Sequence, residues 1–224
     1  MAMLVLILAT LLAANSESAE PRVEVWAGHQ VLNGKRKIPL YGEKETHTEN
    51  YFLAEVHRTP AHIDIRQKLC RFEVSPIKGV LPSMKPETIV RLPKSHFVLE
   101  EKADGSLAAA PWTTGWGAED VDGDGSPGAT VSISGTSCSG DLHISSQTTT
   151  SLISGHAAPD GVAGQISVRL KQKVLSAKGL CLKLMAGDSD ETQTGWFAYR
   201  RVEPGSTCHS LGGKPWPAKA GAAQ

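Results

Sequence analysis

Apolar and polar residues alternate along much of the second half of the chain. The clearest run is 166–171, in which Ile, Val and Leu alternate with Ser, Arg and Lys, and shorter runs occupy 131–134, 142–145 and 180–184. A period of two gives a strand one face that packs on a core and one face that meets water. Turn-forming Gly, Asp and Pro residues separate the runs. The pattern predicts a series of antiparallel strands, with a final strand over 196–202.

The first half of the chain is less regular but is also consistent with strands. Asn33–Gly34 is a strong two-residue hairpin signal, and it predicts a turn that joins a strand near 23–32 to one near 35–42. Two further strands and one short helix, with Pro86 at its first position, are expected at 49–58, 61–75 and 86–92.

About nine strands in one meander are enough to close a barrel or to build a sandwich. The fold class expected is therefore all-β: a single domain over 20–210, either a lipocalin-like barrel or a sandwich. No repeat of fixed period is present, which disfavours a propeller or solenoid. Residues 211–224 are rich in Gly, Pro and Ala and are predicted to form a disordered tail.

The N-terminus carries an apolar run over 3–14, shorter than the roughly 20 residues that a membrane-spanning helix needs. Small residues follow at Ser16, Ser18 and Ala19. We assign 1–19 to a secretory signal peptide, with a buried N-terminal helix as the alternative. The expected location is periplasmic, cell-surface or extracellular, and no later segment predicts a transmembrane helix.

Four cysteines follow the signal: Cys70, Cys138, Cys181 and Cys208. In an exported chain they are expected to form two disulfides, whereas their spacing does not resemble that of zinc ligands. Three pairings are possible, and our preference is Cys181 with Cys208 and Cys70 with Cys138.

The chain has 23 basic and 23 acidic residues, so its formal net charge is zero, and only 5% of its residues are aromatic. Without a basic surplus it lacks the electrostatic basis for binding nucleic acid or an anionic membrane.

One segment carries candidate metal chemistry. Residues 119–128 read EDVDGDGSPG, which places Asp120, Asp122 and Asp124 at alternate positions and glycines between and after them. Carboxylates with this spacing on a tight loop can converge on a hard cation. The segment resembles, over about ten residues, the D-x-D-x-D-G calcium loops of EF-hand, dockerin and integrin-type proteins. The resemblance implies Ca2+ as cofactor, with these three aspartates and the carbonyl near Ser126 as ligands.

Two positions depart from those loops. Val131 stands where an EF-hand has its bidentate Glu, and Gly128 stands at the ninth position, where integrin-type loops have Asp. The ligand set of the loop alone is therefore incomplete, and Glu119 or a distant acid could complete it. Without such a ligand, weak binding in the range of about 10−4 to 10−3 M is expected. The alternative is an acidic Asx-turn that only supports the backbone.

Catalytic motifs are absent from the sequence: there is no nucleophile elbow, no nucleotide-binding glycine loop and no helical zinc-protease motif. A non-enzymatic protein is predicted. His143 lies between Leu142 and Ile144 and is expected on the solvent face. Trp112 and Trp116 are expected to fill the core rather than contact a sugar.

The function predicted is that of an exported β-barrel that binds a small apolar ligand or a protein partner, with one structural calcium loop. A structural or adhesive cell-envelope protein is the alternative, and a secreted hydrolase is a more distant one. An apolar cavity of a few hundred cubic ångströms favours ligand binding, whereas a filled barrel favours the structural role.

Overall fold

A computed structural model describes residues 23–39, 42–136 and 138–218. The predicted signal peptide lies outside these residues. The described chain forms eleven strands and three short helices, none of which is long and apolar enough to cross a membrane. The elements, in chain order, are β1 (Val23–Ile38), β2 (Gly42–Arg58), β3 (His62–Val74), β4 (Val80–Ser83), α1 (Pro86–Arg91), β5 (Ser95–Glu101), β6 (Leu107–Ala108), β7 (Trp112–Trp116), β8 (Ala129–Gly135), β9 (Gly140–Ala158), β10 (Gly161–Lys178), α2 (Leu180–Met185), β11 (Ser189–Arg201) and α3 (Cys208–Leu211).

All strands belong to one antiparallel sheet in the order β4-β8-β9-β10-β11-β1-β2-β3-β5-β6, and β7 pairs with β9. The free edge of β9 is met successively by β8, by β7 and, through the bridge between Ser106 and His156, by the start of β6. Since β6 also pairs with β5 at the far end of the sheet, this contact curls the sheet into a barrel-like shape. The predicted all-β, barrel-like class is confirmed, and a single curled sheet rather than two stacked sheets is formed.

The core occupies one end of the curled sheet. Trp26 of β1, Ile63 and Ile65 of β3 and Leu99 of β5 are fully buried there. A second apolar cluster lies near the other end, where Val131, Ile133 and Ile144 pack with residues of β10 and α2. Alternation along each strand therefore directs the apolar faces inward, as the sequence pattern predicts.

The predicted hairpin at Asn33–Gly34 is wrong. β1 continues through both residues and pairs with β2 without interruption from Val23 to Ile38. Gly34 serves another purpose, because a Cβ at this position would lie 2.7 Å from Cγ of Gln193 on β11. The glycine permits close approach of two strands rather than a turn.

The predicted strand at 180–184 is also wrong, since these residues begin the short helix α2. Gly179, with φ of +122°, turns the chain before the helix. Leu182 is buried, while Leu180 and Leu184 are 84% and 73% exposed. Leucines two residues apart lie on different sides of a helix. The alternation of leucine with Cys and Lys over 180–184 is therefore not a sign of a strand.

Other expected elements are present. Helix α1 begins at Pro86, as predicted, and β2 and β3 include most of the strands expected at 49–58 and 61–75. The last strand begins seven residues earlier than the predicted 196–202, at Ser189.

Two disulfides are present, as predicted, but the preferred pairing is wrong. Cys70 bonds Cys208, and Cys138 bonds Cys181. Cys138 follows β8 while Cys181 lies in α2, and the pairing of β8 with β9 and of β9 with β10 brings those two elements together. Two disulfides fit an oxidising compartment outside the cytoplasm.

The first part of the predicted disordered tail lies against the barrel. Trp216 contacts the ring of Tyr51 edge-on at 5.2 Å, and the carbonyl of Pro217 accepts a hydrogen bond from His29 Nδ1. The disulfide to Cys208 fixes the start of this segment on β3. Residues 219–224 lie outside the described residues.

Candidate ligand-binding cavity and acidic loop

A cavity of about 310 Å3 occupies the interior of the curled sheet. Its walls come from the inward faces of β1, β2, β3, β5 and β7 to β11, and the segment from β4 to β5 contributes Met84, Leu92 and Pro93. Along β11 the cavity extends from Tyr199 to Glu191, a distance of roughly 26 Å at about 3.3 Å per residue. The volume lies near the lower limit of small-molecule sites, which is about 300 Å3.

Aromatic rings form the wall next to the core. Phe97 and Trp112 stack with ring centroids 4.3 Å apart, and Phe197 and Tyr199 lie beside each other on β11. Tyr199 is buried, and its hydroxyl donates a hydrogen bond to Gln67 Oε1. Burial raises the pKa of Tyr199, so this phenol stays neutral and remains a hydrogen-bond donor.

Trp112 and Trp116 therefore both pack on the core clusters and line the cavity. Trp116 Nε1 donates to the carbonyl of Ile144 at 2.8 Å, which fixes its ring at the wall. The expectation that these two residues fill the core describes only part of their position.

A polar cluster lies at the opposite end of the cavity. Arg36 Nη2 is 2.7 Å from Glu191 Oε1 and 2.8 Å from Gln172 Oε1, and Arg36 Nε is 3.2 Å from Glu191 Oε2. Gln193 Nε2 donates to Glu191 Oε1 at 3.1 Å. Glu191 and Gln193 are buried. The carboxylate is thus held by a two-point contact with a guanidinium and by an amide.

Sequence reasoning missed this cluster because the predicted hairpin placed Arg36 on a separate strand. In an uninterrupted β1, Arg36 is an even number of residues from Trp26 and Leu32. Its side chain must therefore lie on the same, inward face of the strand as theirs. The even spacing of these three residues was the available signal.

The acidic loop between β7 and β8 brings the three predicted aspartates together. Carboxylate oxygens of Asp120, Asp122 and Asp124 all lie within 4.8 Å of one another. Asp120 is exposed, and its oxygens accept hydrogen bonds from the backbone N–H groups of 123, 124 and 125. These bonds, that from Gly125 foremost, lower the pKa of Asp120.

Asp122 differs from the other two because it is only 7% exposed. Its Oδ2 accepts hydrogen bonds from Thr88 Oγ1 of α1 at 3.0 Å and from the backbone N–H of Thr130 at 2.9 Å. Its Oδ1 is buried and has no hydrogen-bond partner among the described residues. A buried carboxylate oxygen without a partner is costly unless something else contacts it.

Asp124 is anchored by Thr130, whose hydroxyl donates to Asp124 Oδ2 at 2.6 Å, and by the backbone N–H of Ser126 at 2.8 Å. The bond from Thr130 is the main reason that the pKa of Asp124 is lowered. Ser126, the fourth predicted ligand residue, has its hydroxyl 3.4 Å from Lys178 Nζ. Hydrogen bonds from the loop and its neighbours thus hold the carboxylate groups of all three aspartates in place.

The expectation that His143 is solvent-exposed is wrong: it is 1% exposed. It stands opposite Thr130 in the pairing of β8 with β9, so its side chain lies on the face that the acidic loop covers. Its Nδ1 is 2.5 Å from Ser176 Oγ, and its Nε2 has no hydrogen-bond partner within the described chain. The alternation along β9 predicted a solvent-exposed face for His143. The acidic loop buries this face, and the sequence of one strand does not show which other segment will cover it.

A hydrogen-bonded group on the outside of the barrel was also missed. Glu49 accepts from Tyr51 Oη at 2.7 Å, from His29 Nε2 at 2.9 Å and from His47 Nε2 at 3.2 Å. These bonds, with that from Tyr51 the largest, lower the pKa of Glu49 to about 2. Burial and the bond to Glu49 raise the pKa of Tyr51 to about 12. The C-terminal segment at Trp216 covers this group.

Comparison with known proteins gives little guidance. No protein-family model and no curated protein matches the chain. Among solved structures, it is similar to DynF from the dynemicin biosynthesis pathway of Micromonospora chersina, with 10% identity over 83% of each chain and a TM-score of 0.33. This TM-score is too low to show a shared fold.

Proposed function

We propose that the protein is an exported, non-catalytic binding protein that holds a small, mainly apolar molecule inside its barrel. The observation that carries this proposal is the cavity of about 310 Å3 between the Phe97–Trp112 stack and the second apolar cluster. A barrel with a purely structural or adhesive role would be expected to fill this space with side chains, because voids weaken packing.

The lining supports a ligand that is apolar over most of its length. Aromatic and aliphatic residues from β1, β2, β3, β5 and β7 to β11 face the cavity, and apolar pockets with a few polar groups are typical of small-molecule sites. The two disulfides and the covering C-terminal segment would preserve such a site outside the cell.

Nile red, an uncharged fluorescent probe, tests the proposal directly. We expect saturable binding with energy transfer from tryptophan, since Trp112 and Trp116 line the cavity. The variant Thr148→Trp fills the cavity and should abolish binding. The matched control Thr149→Trp changes the next residue, which faces outward and bonds Thr113, and should leave binding intact. Absence of saturable binding to the native protein would reject the proposal.

We also propose that the acidic loop holds a calcium ion that stabilises the barrel. The unpartnered, buried Oδ1 of Asp122 supports a ligand at this point, and oxygen donors of Asp120 and Asp124 lie nearby. Calcium prefers such hard oxygen ligands, and its charge would relieve repulsion between the three carboxylates. Its role would be structural, because Asp122 links the loop to α1 through Thr88.

Calorimetric titration of the whole protein with Ca2+ tests the loop. We expect binding with a dissociation constant of about 10−4 to 10−3 M and a higher melting temperature at millimolar calcium. Asp122→Asn should remove both effects, while Asp104→Asn, in an exposed turn, should remove neither. No heat and no thermal shift in the native protein would leave the loop as an Asx-turn alone.

A further inference from the structure

The charges of the cavity lining restrict the chemistry of its ligand. Among the residues that line it, Arg36 and Glu191 alone carry a formal charge at neutral pH. They contact each other through two nitrogen–oxygen pairs, at 2.7 and 3.2 Å. The described lining is therefore neutral in sum, and each of its charges already has its counter-ion.

An ionised ligand would disturb this balance. A carboxylate or ammonium group transferred from water into the cavity would lose its hydration and find no opposite charge that lacks a partner. A carboxylate that replaced Glu191 on Arg36 would leave the Glu191 carboxylate buried and unpaired. An ammonium that replaced Arg36 would break the two-point contact with Glu191 and leave the guanidinium, whose side chain is 30% exposed, without its counter-ion. The side chain of Glu191 is 3% exposed, so water cannot compensate it.

Uncharged hydrogen-bonding groups, in contrast, surround the pair. Gln193 and Thr46 are buried next to Glu191, with Gln193 Nε2 3.5 Å from Thr46 Oγ1. Further along the wall, Asn50 Nδ2 donates to Gln30 Oε1 at 2.9 Å. Amide and hydroxyl groups can form a hydrogen bond with a neutral polar group of a ligand at little cost, because each of them has both a donor and an acceptor.

We infer that the cavity selects an uncharged amphipathic molecule, whose apolar body lies along the Phe97–Trp112 wall and whose hydroxyl, carbonyl or amide group lies beside Arg36 and Glu191. The inference rests on the proposed function and specifies its ligand class. Fatty acids and alkylamines in their ionised forms are excluded by the same charge balance.

Three dodecyl compounds that differ only in head group test the inference: 1-dodecanol, dodecanoate and dodecylammonium. Each is used at pH 7, below its aggregation concentration, to displace Nile red from the native protein. We expect dodecanol to bind at least about tenfold more tightly than either ion. If Nile red binds but either ion matches or exceeds dodecanol, or if none of the three displaces the probe, the inference is overturned while the binding function stands. If Nile red does not bind, both are rejected.

Charge variants provide a second readout. Glu191→Gln leaves Arg36 without its carboxylate and should shift the preference about tenfold or more toward dodecanoate. Arg36→Gln leaves Glu191 alone and should shift it toward dodecylammonium. The double variant R36Q/E191Q restores neutrality and should again prefer dodecanol, which serves as the control for loss of fold. Unchanged preference in both single variants, with native-like melting, would contradict the role of the pair.

Discussion

Hydrogen bonds lower the pKa of the carboxylates Glu49, Asp120 and Asp124, whereas burial raises the pKa of the two tyrosines Tyr51 and Tyr199. Glu49 is the clearest case, since it accepts from a phenol and from two histidine side chains on the outside of the barrel. His29, one of these donors, also bonds the carbonyl of Pro217 and so connects the carboxylate to the C-terminal segment. The charge on Glu49 therefore helps to hold that segment in place.

The variant Glu49→Gln should make this contribution measurable. We expect a loss of about 1–2 kcal/mol in the free energy of unfolding at pH 7, because hydrogen bonds to a charged acceptor are replaced by weaker ones. The folded-state pKa of about 2 lies below the ordinary value of 4.5. The stabilisation is therefore complete above about pH 4.5 and disappears as the pH falls toward 2.

Urea unfolding of native protein and variant between pH 7 and pH 2 measures this difference. The control is Glu43→Gln on the same strand, where the acid forms only an exposed ion pair with Lys35. This control should change stability by less than about 1 kcal/mol. A Glu49→Gln effect that stays constant down to pH 2 would disprove the assigned cause.

Two glycines of the acidic loop form a second test at this scale. Gly125 and Gly128 have φ of +83° and +74°, a region that side chains rarely adopt. A Cβ at Gly125 would meet no atom within 4 Å, whereas one at Gly128 would collide with the carbonyl of Ile144. Gly125→Ala should cost about 1 kcal/mol and Gly128→Ala at least 2 kcal/mol in urea unfolding. Equal losses would show that the loop can move away from β9.

At the scale of elements, the sequence predicts strands well where no strong turn signal interrupts the alternation of apolar and polar residues. β2, β3, β10 and helix α1 lie close to their expected places because local periodicity and Pro86 act without competition. Asn33–Gly34 fails because sixteen paired residues of β1 outweigh the preference of two residues for a turn. The cover of His143 could not be predicted, since it comes from a loop that precedes β8 in sequence and folds over β9.

The contact between α1 and the acidic loop depends on one buried hydrogen bond, from Thr88 to Asp122. Thr88→Val keeps the shape of the side chain but removes the donor, so that both oxygens of Asp122 lack a side-chain partner. We expect a loss of about 1–3 kcal/mol in the free energy of unfolding. Thr113→Val, which removes the exposed hydrogen bond between Thr113 of β7 and Thr149 of β9, should change it by less than about 0.5 kcal/mol. Similar effects of the two variants would mean that α1 is held by its apolar contacts alone.

At the scale of the whole molecule, the sheet leaves an internal space because its closing contacts are concentrated at one end. β6 meets β9 there through Ser106 and His156, next to the packed core around Trp26. At the other end, the inward positions of β1, β10 and β11 carry Arg36, Gln172 and Glu191, which bond one another instead of forming an apolar core. The same alternation that builds the core therefore also builds the polar end of the cavity.

The two disulfides should stabilise the molecule to different extents. Cys70 and Cys208 are 138 residues apart, and Cys138 and Cys181 are 43 apart. The cost of closing a loop in the unfolded chain grows with its length, so loss of the first bridge is expected to lower stability more, by about 4–5 kcal/mol against about 3–4 kcal/mol.

Neither Cys70 nor Cys208 lines the cavity, so C70S/C208S should still bind Nile red at temperatures where it is folded. Melting curves of this variant and of C138S/C181S give the order of stability, and fluorescence titration gives the binding. A greater loss from the shorter bridge would show that the C-terminal segment adds little to the fold, and loss of binding in folded C70S/C208S would show that this segment shapes the cavity from outside.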